Sequence, residues 1–501
     1  MDTIAPTYAC IFAAILVPLI WLSTSKRSNV PGPRPLPVIG NLLDLLSAGD
    51  PWGIFTTWKV SYGDVVGLRV FGTNIIVLNS MQAFNELLNK RASKYSHRPV
   101  FTVVCELMKM GKSMPLRDYD EEWREMRRIS HNALGTQPVK QYHRMQEDMA
   151  ALFARDVLDE PSNFRVILRM YSSRIILSLT YGLSAQEADD AYVEHAENTM
   201  NIIRESAVVG AYLCDLLPMM KHLPSWLPFQ RRAARGRAMV HRMVTEPFLR
   251  VQRDMSEGKA RPSLARDFLN QNEGALTETS YERLLWTAAS MYAAGAESSY
   301  ATTLTFILAM TLYPGSQQTA QQELDNVLGF GSLPTIADRE RLPYIQALVK
   351  ETMRWHPMLP LSFPRRTAQS DEYRGFTIPA NTIVIPNVWS VAFEPNPRHP
   401  PEDFIPERFL DIESMSVDPA SWAFGFGRRI CPGKLLGENN IFILISTLLV
   451  SFKILPPEGG YKRKPMFVAD LGSFPEPFDC QIVPRSQVHE LNVHFIVNHF
   501  A

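Results

Sequence analysis

Residues 423–437 read Ala-Phe-Gly-Phe-Gly-Arg-Arg-Ile-Cys-Pro-Gly-Lys-Leu-Leu-Gly and set a single cysteine, Cys431, between a glycine-punctuated turn and an apolar, helix-like run. Gly425, Gly427 and Gly433 let the backbone bend sharply and approach something flat at close range. Pro432 and Gly433 open the following helix, whose N-terminus favours a negative sulfur nearby. Phe424 and Phe426 supply apolar cover, and Arg428 and Arg429 supply positive charge for acidic groups on a ligand. A thiolate held in an apolar, donor-rich loop is what an axial haem ligand needs.

The spacing Phe424-x-x-Gly427-x-Arg429-x-Cys431-x-Gly433 resembles the haem-binding signature of the cytochrome P-450 superfamily. Five fixed positions in so short a stretch set it apart from a buried structural cysteine in a Gly-rich turn. The rest of the composition agrees with a large globular chain: 501 residues, 46% hydrophobic and 20% charged. Basic and acidic residues number 51 each, and this zero net charge gives no support for nucleic-acid binding. Five cysteines scattered without C-x-x-C pairs argue against a disulfide framework or a zinc site and for a reducing compartment.

At the N-terminus, residues 3–25 carry no charge and are long enough to span a bilayer as a helix. Lys26 and Arg27 follow at once, which places the remainder in the cytosol. With no basic n-region and no small-x-small cleavage site, the segment reads as a signal anchor of the endoplasmic reticulum, single-pass. Pro31, Pro33, Pro35 and Pro37 make residues 26–41 a stiff connector, similar to the proline-rich hinge of microsomal family members. Val/Ile/Leu runs between Asp64 and Asn79, broken by Gly67 and Gly72, predict a β-hairpin, and most of the rest has helical periodicity. Pro218, Pro224 and Pro228 disfavour a core helix around 207–228, and residues 256–263 read as a surface loop.

Residues 281–310 lack proline and are apolar almost all round, which predicts a buried helix of about 45 Å. Ala294-Gly-Ala-Glu-Ser-Ser299 interrupts it with one acid and two hydroxyls, groups that cost energy in a core unless satisfied. The segment resembles the family's oxygen-binding groove, so Gly295 would border the cofactor, and Glu297 and Ser298 would form the proton-delivering acid–alcohol pair. Serine stands at 298 where the family usually has threonine; it keeps the hydroxyl but lacks the methyl that fixes the rotamer. Trp123 and Arg127, four apart on one helix face, resemble the W-x-x-x-R pair that bonds haem propionates. Arg365 in Phe-Pro-Arg-Arg-Thr resembles a further propionate ligand. Glu351-x-x-Arg354 followed by Arg408 in Pro-Glu-Arg-Phe is similar to the family's structural Glu-Arg-Arg network.

The resemblance implies a mainly α fold with small β-sheets: an anchor (3–25), a hinge (26–41) and a single haem domain (42–501). It implies haem b on Cys431, with Phe424 and Arg429 completing the cradle. It also implies O2, and NADPH-derived electrons from a partner flavoprotein reductase docking near Arg124, Arg128, Arg428 and Lys434. Alignment with family recognition segments lines the substrate pocket with Phe101, Val104, Leu107, Val208, Tyr212, Tyr292, Leu359, Leu361, Phe363 and Leu471. That list is apolar and predicts a lipophilic substrate. Leu-Pro-Ser-Trp-Leu-Pro (223–228) looks closest to fungal members of secondary metabolism, where a terpenoid, prenylated indole or polyketide would fit. Two other readings stand beside the monooxygenase: a haem-thiolate isomerase or dehydratase working without reductase, and a haem-binding protein without turnover.

Overall fold

Side-chain caps mark where the long helices begin. Asp120 accepts the backbone N–H of Trp123 at 2.7 Å and starts the helix Glu121–Leu134. Thr277 and Ser280 form a reciprocal capping box that starts Glu278–Leu312. Glu323 reaches from a neighbouring helix to accept the N–H groups of Tyr344 (2.8 Å) and Ile345 (2.9 Å), at the start of Pro343–Trp355. Each carboxylate or hydroxyl satisfies donors that a helix N-terminus leaves unpaired, an effect worth about 1 kcal/mol per cap.

The computed structural model describes residues 27–46, 50–183, 190–207, 212–272, 277–414, 416–463, 465–468 and 471–486. The expected anchor at 3–25 and Val208 lie outside them. Among the described residues, the helices of eight residues or more are α1 (Pro51–Tyr62), α2 (Glu121–Leu134), α3 (His143–Asp159), α4 (Phe164–Tyr181), α5 (Asp190–Ser206), α6 (Pro228–Ser256), α7 (Leu264–Gln271), α8 (Glu278–Leu312), α9 (Pro314–Leu328), α10 (Pro343–Trp355) and α11 (Lys434–Ser451). The strands are β1 (Val65–Val70), β2 (Thr73–Leu78), β3 (Arg365–Arg366), β4 (Asp371–Tyr373), β5 (Phe376–Ile378), β6 (Ile383–Pro386), β7 (Phe452–Leu455) and β8 (Gln481–Pro484). The fold is mainly α with minor sheets, as the sequence implies.

β1 and β2 pair from Val65 opposite Leu78 to Val70 opposite Thr73, which is the hairpin expected at 64–79. β6 adds parallel to β2, and β3 adds antiparallel to β6, giving the order β1-β2-β6-β3. The proline-rich segment is not a free connector. It lies on β1 as a strap: Gly67 donates to the Pro31 carbonyl at 2.7 Å, and Asn41 and Arg69 exchange bonds of 2.6 and 2.9 Å. Gly32 and Gly40 make the contact possible, because a Cβ on either would sit 1.8 Å from a β1 carbonyl oxygen.

The core is built around α8, which is buried on nearly every side and crosses α4. At that crossing a Cβ on Gly295 would meet Ile176 Cδ1 at 2.8 Å. α11, which follows Cys431, is the one helix among the described residues long and apolar enough to cross a membrane, yet 78% of it is buried in the core. Its apolarity serves packing against α3 and α8.

Candidate active site

The turn that carries Cys431 is pinned from both ends. The Cys431 N–H donates to the Phe424 carbonyl at 2.7 Å, and Phe426 packs its ring 4.8 Å from Phe84. Gly427 meets two demands at once: its φ is +52°, and a Cβ there would lie 2.3 Å from the Leu88 carbonyl oxygen. Cys431 is solvent-accessible, while the protein packed around it still desolvates its thiol. Burial pushes its pKa up, opposed by the Gly433 N–H, Arg127 and Lys434. A metal cation at the sulfur would supply the remaining pull toward thiolate.

Beside this loop three guanidinium groups lie buried with no carboxylate partner among the described residues. Arg98 donates to the carbonyls of Pro115 (2.8 Å), Phe363 (3.0 Å) and Pro364 (2.7 Å). Arg365 donates to Phe426 O at 2.7 Å and Tyr95 O at 3.5 Å. Arg429 donates to Ser96 O at 2.8 Å and Arg117 O at 2.9 Å, and its guanidinium stands 4.4 Å over the Trp123 ring. Desolvation first, and then one another's charge, lower Arg98 and Arg365 to about 9 and Arg429 to about 8. Arg127 donates to the Ile430 carbonyl next to Cys431. Asp118 and Asp120 offset part of this charge from a distance. So dense a set of buried guanidinium groups without a direct carboxylate partner, beside a thiol, fits a metal-bearing ligand with its own carboxylates, which is the chemistry of haem b and its two propionates. Arg98 was not anticipated from the sequence; Ser-His-Arg-Pro carries no spacing that marks it.

α8 presents different faces to different neighbours. Ala294 is exposed in the middle of this otherwise buried helix, and Ser298, one turn on, is half-buried. The Ser298 hydroxyl lies 3.5 Å from the Gly295 carbonyl, at the long limit of a hydrogen bond. Gly295 itself faces Ile176, so the space its missing side chain leaves is filled by α4. Glu297 points toward α4 and α5, where its two oxygens pair with Arg169 (2.8 Å) and Arg204 (3.0 Å). Arg169 also stands 3.8 Å over the Tyr300 ring and 3.5 Å from Glu197.

Farther from the thiol, Glu351, Arg354 and Arg408 are almost wholly buried and mutually bonded. Arg354 grips Glu351 through two bonds of 2.7 and 2.9 Å, and Arg408 adds a third at 3.1 Å. Both arginines spend their remaining donors on carbonyls of residues 392–403. The segment leading into the cysteine loop is therefore tied to α10.

A sequence profile of the family described as Cytochrome P450 matches residues 30–481. The chain belongs to the cytochrome P450 family. It is 34% identical over 488 residues to cytochrome P450 monooxygenase 208 of Postia placenta, covering 95% of this chain and 94% of that protein. Cytochrome P450 monooxygenase COX1 of Coprinopsis cinerea is 36% identical over 473 residues, 91% of each chain. Monooxygenase claR of Ampulloclitocybe clavipes is 36% identical over 472 residues, 92% of this chain and 87% of that one. By family and by these relatives the protein is a P450 monooxygenase, and the family implies a haem cofactor.

The expected substrate lining of this P450 is only partly gathered. Tyr292 departs from it: the residue is 3% exposed and packs its ring 5.7 Å from Tyr192. It sits on the α4–α5 face of α8, about one turn from Gly295 and away from Ala294. Leu361 packs with residues of the four-stranded sheet, and Tyr212 packs beside Val103 and Met108 with its hydroxyl 3.4 Å from Ser206. Val104 is fully buried, whereas Phe101 and Leu471 are half-buried against the main core. Of the expected docking cations, Arg124 and Arg428 are exposed, Arg128 is paired to Glu125 at 2.7 Å, and Lys434 donates to the Ala420 carbonyl at 2.8 Å. Lys434 therefore belongs to the loop as much as to the surface.

Proposed function

We propose that this P450 is a microsomal-type monooxygenase that oxidises a lipophilic small molecule of fungal secondary metabolism, with electrons delivered from NADPH by a flavoprotein reductase in the same membrane. The observation that carries the reading is the buried cluster of Arg98, Arg365 and Arg429 beside the Cys431 loop, whose guanidinium groups pair with no carboxylate among the described residues and suit a carboxylate-bearing cofactor. Cys431 would be the thiolate that holds the haem iron, with Trp123, Arg127, Arg365, Arg429 and the additional Arg98 holding the propionates. Phe424, whose carbonyl accepts the Cys431 N–H, would supply apolar cover for the sulfur. Haem bound in this way supplies oxygen activation; the chain supplies orientation, dryness and protons.

The proton path starts from the α8 interruption. The Ser298 hydroxyl would hold a water and pass protons toward the cofactor site. Glu297 would feed that hydroxyl after leaving one of its arginines. An uncharged, half-buried rim such as Phe101 and Leu471 would exclude bulk water and admit an apolar substrate. The uncharged 3–25 run would anchor the chain in the endoplasmic reticulum with the haem domain cytosolic.

The test is the reduced carbon monoxide difference spectrum of the membrane-bound protein, followed by NADPH consumption with added reductase. A strongly red-shifted thiolate–carbonyl band with O2-dependent NADPH use supports the reading. A histidine-type or protonated-thiol band in folded protein removes the Cys431 assignment. Turnover that needs neither reductase nor O2 replaces the monooxygenase with the isomerase or dehydratase.

A further inference from the structure

The buried guanidinium groups of Arg98, Arg365 and Arg429 come from segments far apart in the chain, and one carboxylate joins those segments. Asp118 Oδ1 accepts the Arg98 backbone N–H at 3.0 Å and lies 2.8 Å from His97 Nδ1. Its Oδ2 accepts Arg366 Nη2 at 2.8 Å. Each tie falls beside a member of the cluster. Arg98 is held by its own N–H, and Arg366 directly follows Arg365. Arg429 donates to the carbonyls of Ser96 and Arg117, which immediately precede His97 and Asp118. Arg366 closes the arrangement from the other side: its Nε donates to the Arg98 carbonyl at 3.0 Å, and its N–H to the His97 carbonyl at 2.9 Å. Arg98 is therefore gripped at its N–H by Asp118 and at its carbonyl by Arg366, and the two grips are themselves an ion pair. Asp120, the other acid nearby, is committed to Arg117 at 3.0 Å and to the N-terminus of α2.

We propose that Asp118 is a positioning residue for the cofactor: paired with Arg366, it sets the spacing of Arg98, Arg365 and Arg429, and so the place where a ligand's two carboxylates are held. The need is electrostatic and geometric. The three guanidinium groups lower one another's pKa, so they repel, and the neutral carbonyls they bond orient them without cancelling that charge. A carboxylate bonded to the backbone that carries them opposes their separation through charge-assisted bonds. Asp118 does this without bonding any of the three guanidinium groups, which stay directed to the cofactor site. Its side chain is 43% exposed, so it can be replaced without leaving a cavity in the core. The inference rests on the haem reading of this site and adds the residue that keeps its cations in register.

The experiment uses full-length holoenzyme in detergent, as parent, Asp118→Ala, Asp118→Asn, Arg366→Gln, and Asp118→Asn combined with Arg366→Gln. Haem transfer to an apo-globin acceptor reads retention, resonance Raman bands of the propionates read their placement, and melting followed by circular dichroism reads the fold. Asp118→Ala is expected to release haem about tenfold faster and to shift the propionate bands. Asp118→Asn keeps an oxygen for the Arg98 N–H and is expected to rescue part of both changes. The combined variant should release haem about as fast as the faster of its two singles, because both substitutions open one clamp. Parental propionate bands in Asp118→Ala, even with a lower melting temperature, would reduce Asp118 to a structural role and overturn the proposal. Single effects that multiply in the combined variant would overturn it too. If the alanine variant does not fold, parental bands and parental transfer in Asp118→Asn decide against it in the same way. A normal carbon monoxide band with unmoved propionates rejects Asp118 and leaves the proposed function standing, whereas a parent without that band rejects the haem reading itself.

Discussion

At the scale of single residues, the cluster around Arg429 makes the sharpest demand. Arg98 spreads its donors over three carbonyls, a geometry that a planar fork satisfies and a point charge does not. Arg98→Lys keeps the charge but releases part of that cradle. Haem should then transfer to an apo-globin acceptor about tenfold faster, with circular dichroism unchanged. An unaltered transfer rate would remove Arg98 from the cofactor site. Ser298 poses a different question. Its hydroxyl rests at 3.5 Å from Gly295 O without a firm partner, and threonine would fix the rotamer through its extra methyl. Ser298→Thr should raise product formed per NADPH, and Ser298→Ala should raise peroxide release. Neither arginine on Glu297 could be read from spacing, because Arg169 and Arg204 reach it from α4 and α5, more than ninety positions away. Short-range pairs such as Trp123–Arg127 and Glu351–Arg354 were legible because one helix face sets both members.

Elements carry the next tier of constraint. α8 is apolar on all sides, so its sequence announces burial but not phase. That is why the sequence suggests Tyr292 as pocket lining, whereas its ring packs against Tyr192. The α4–α8 crossing can be tested at Gly295. Gly295→Ala gains about 1 kcal/mol of helix propensity but forces Ile176 to move, at a cost of about 1–3 kcal/mol. Net destabilisation is expected, reversed by adding Ile176→Val; a lack of coupling between the two in urea unfolding would refute the contact. A second joint lies between residues 212–223 and the turn Thr102–Leu107. There Asp215 accepts the Val103 N–H at 3.0 Å, and Lys221 pairs with Glu106 at 2.6 Å. Burial raises the Asp215 pKa from 3.8 to about 6, against bonds from Val103 and Thr102. A carboxyl raised on folding contributes stability that is full below the unfolded value and lost as pH climbs through the folded one. Stability should therefore fall between about pH 4 and 6, a slope that Asp215→Asn removes while keeping an acceptor for Val103; an unchanged slope in thermal melts would dismiss this group.

For the molecule as a whole, the decisive tie is the Glu351–Arg354–Arg408 network, because it joins α10 to residues 392–408 and so to the approach of the cysteine loop. The sequence exposed its members in order, and the family profile over 30–481 frames the same span. What it concealed is how completely they are sequestered: all three are at most 3% exposed. Two buried guanidinium groups against one carboxylate leave no reserve of negative charge. Glu351→Gln preserves shape but strands both cations, and such a loss costs about 3–5 kcal/mol in comparable buried pairs. The expected result is a lower denaturant midpoint, followed through haem absorbance, and a smaller yield of holoenzyme. If the network supports the fold and does no chemistry, the fraction that retains haem should turn over with the same product per NADPH and the same peroxide release as the parent. Fully loaded Glu351→Gln with poor coupling would instead mean that the network reaches the cofactor electrostatically, through the cysteine loop it anchors.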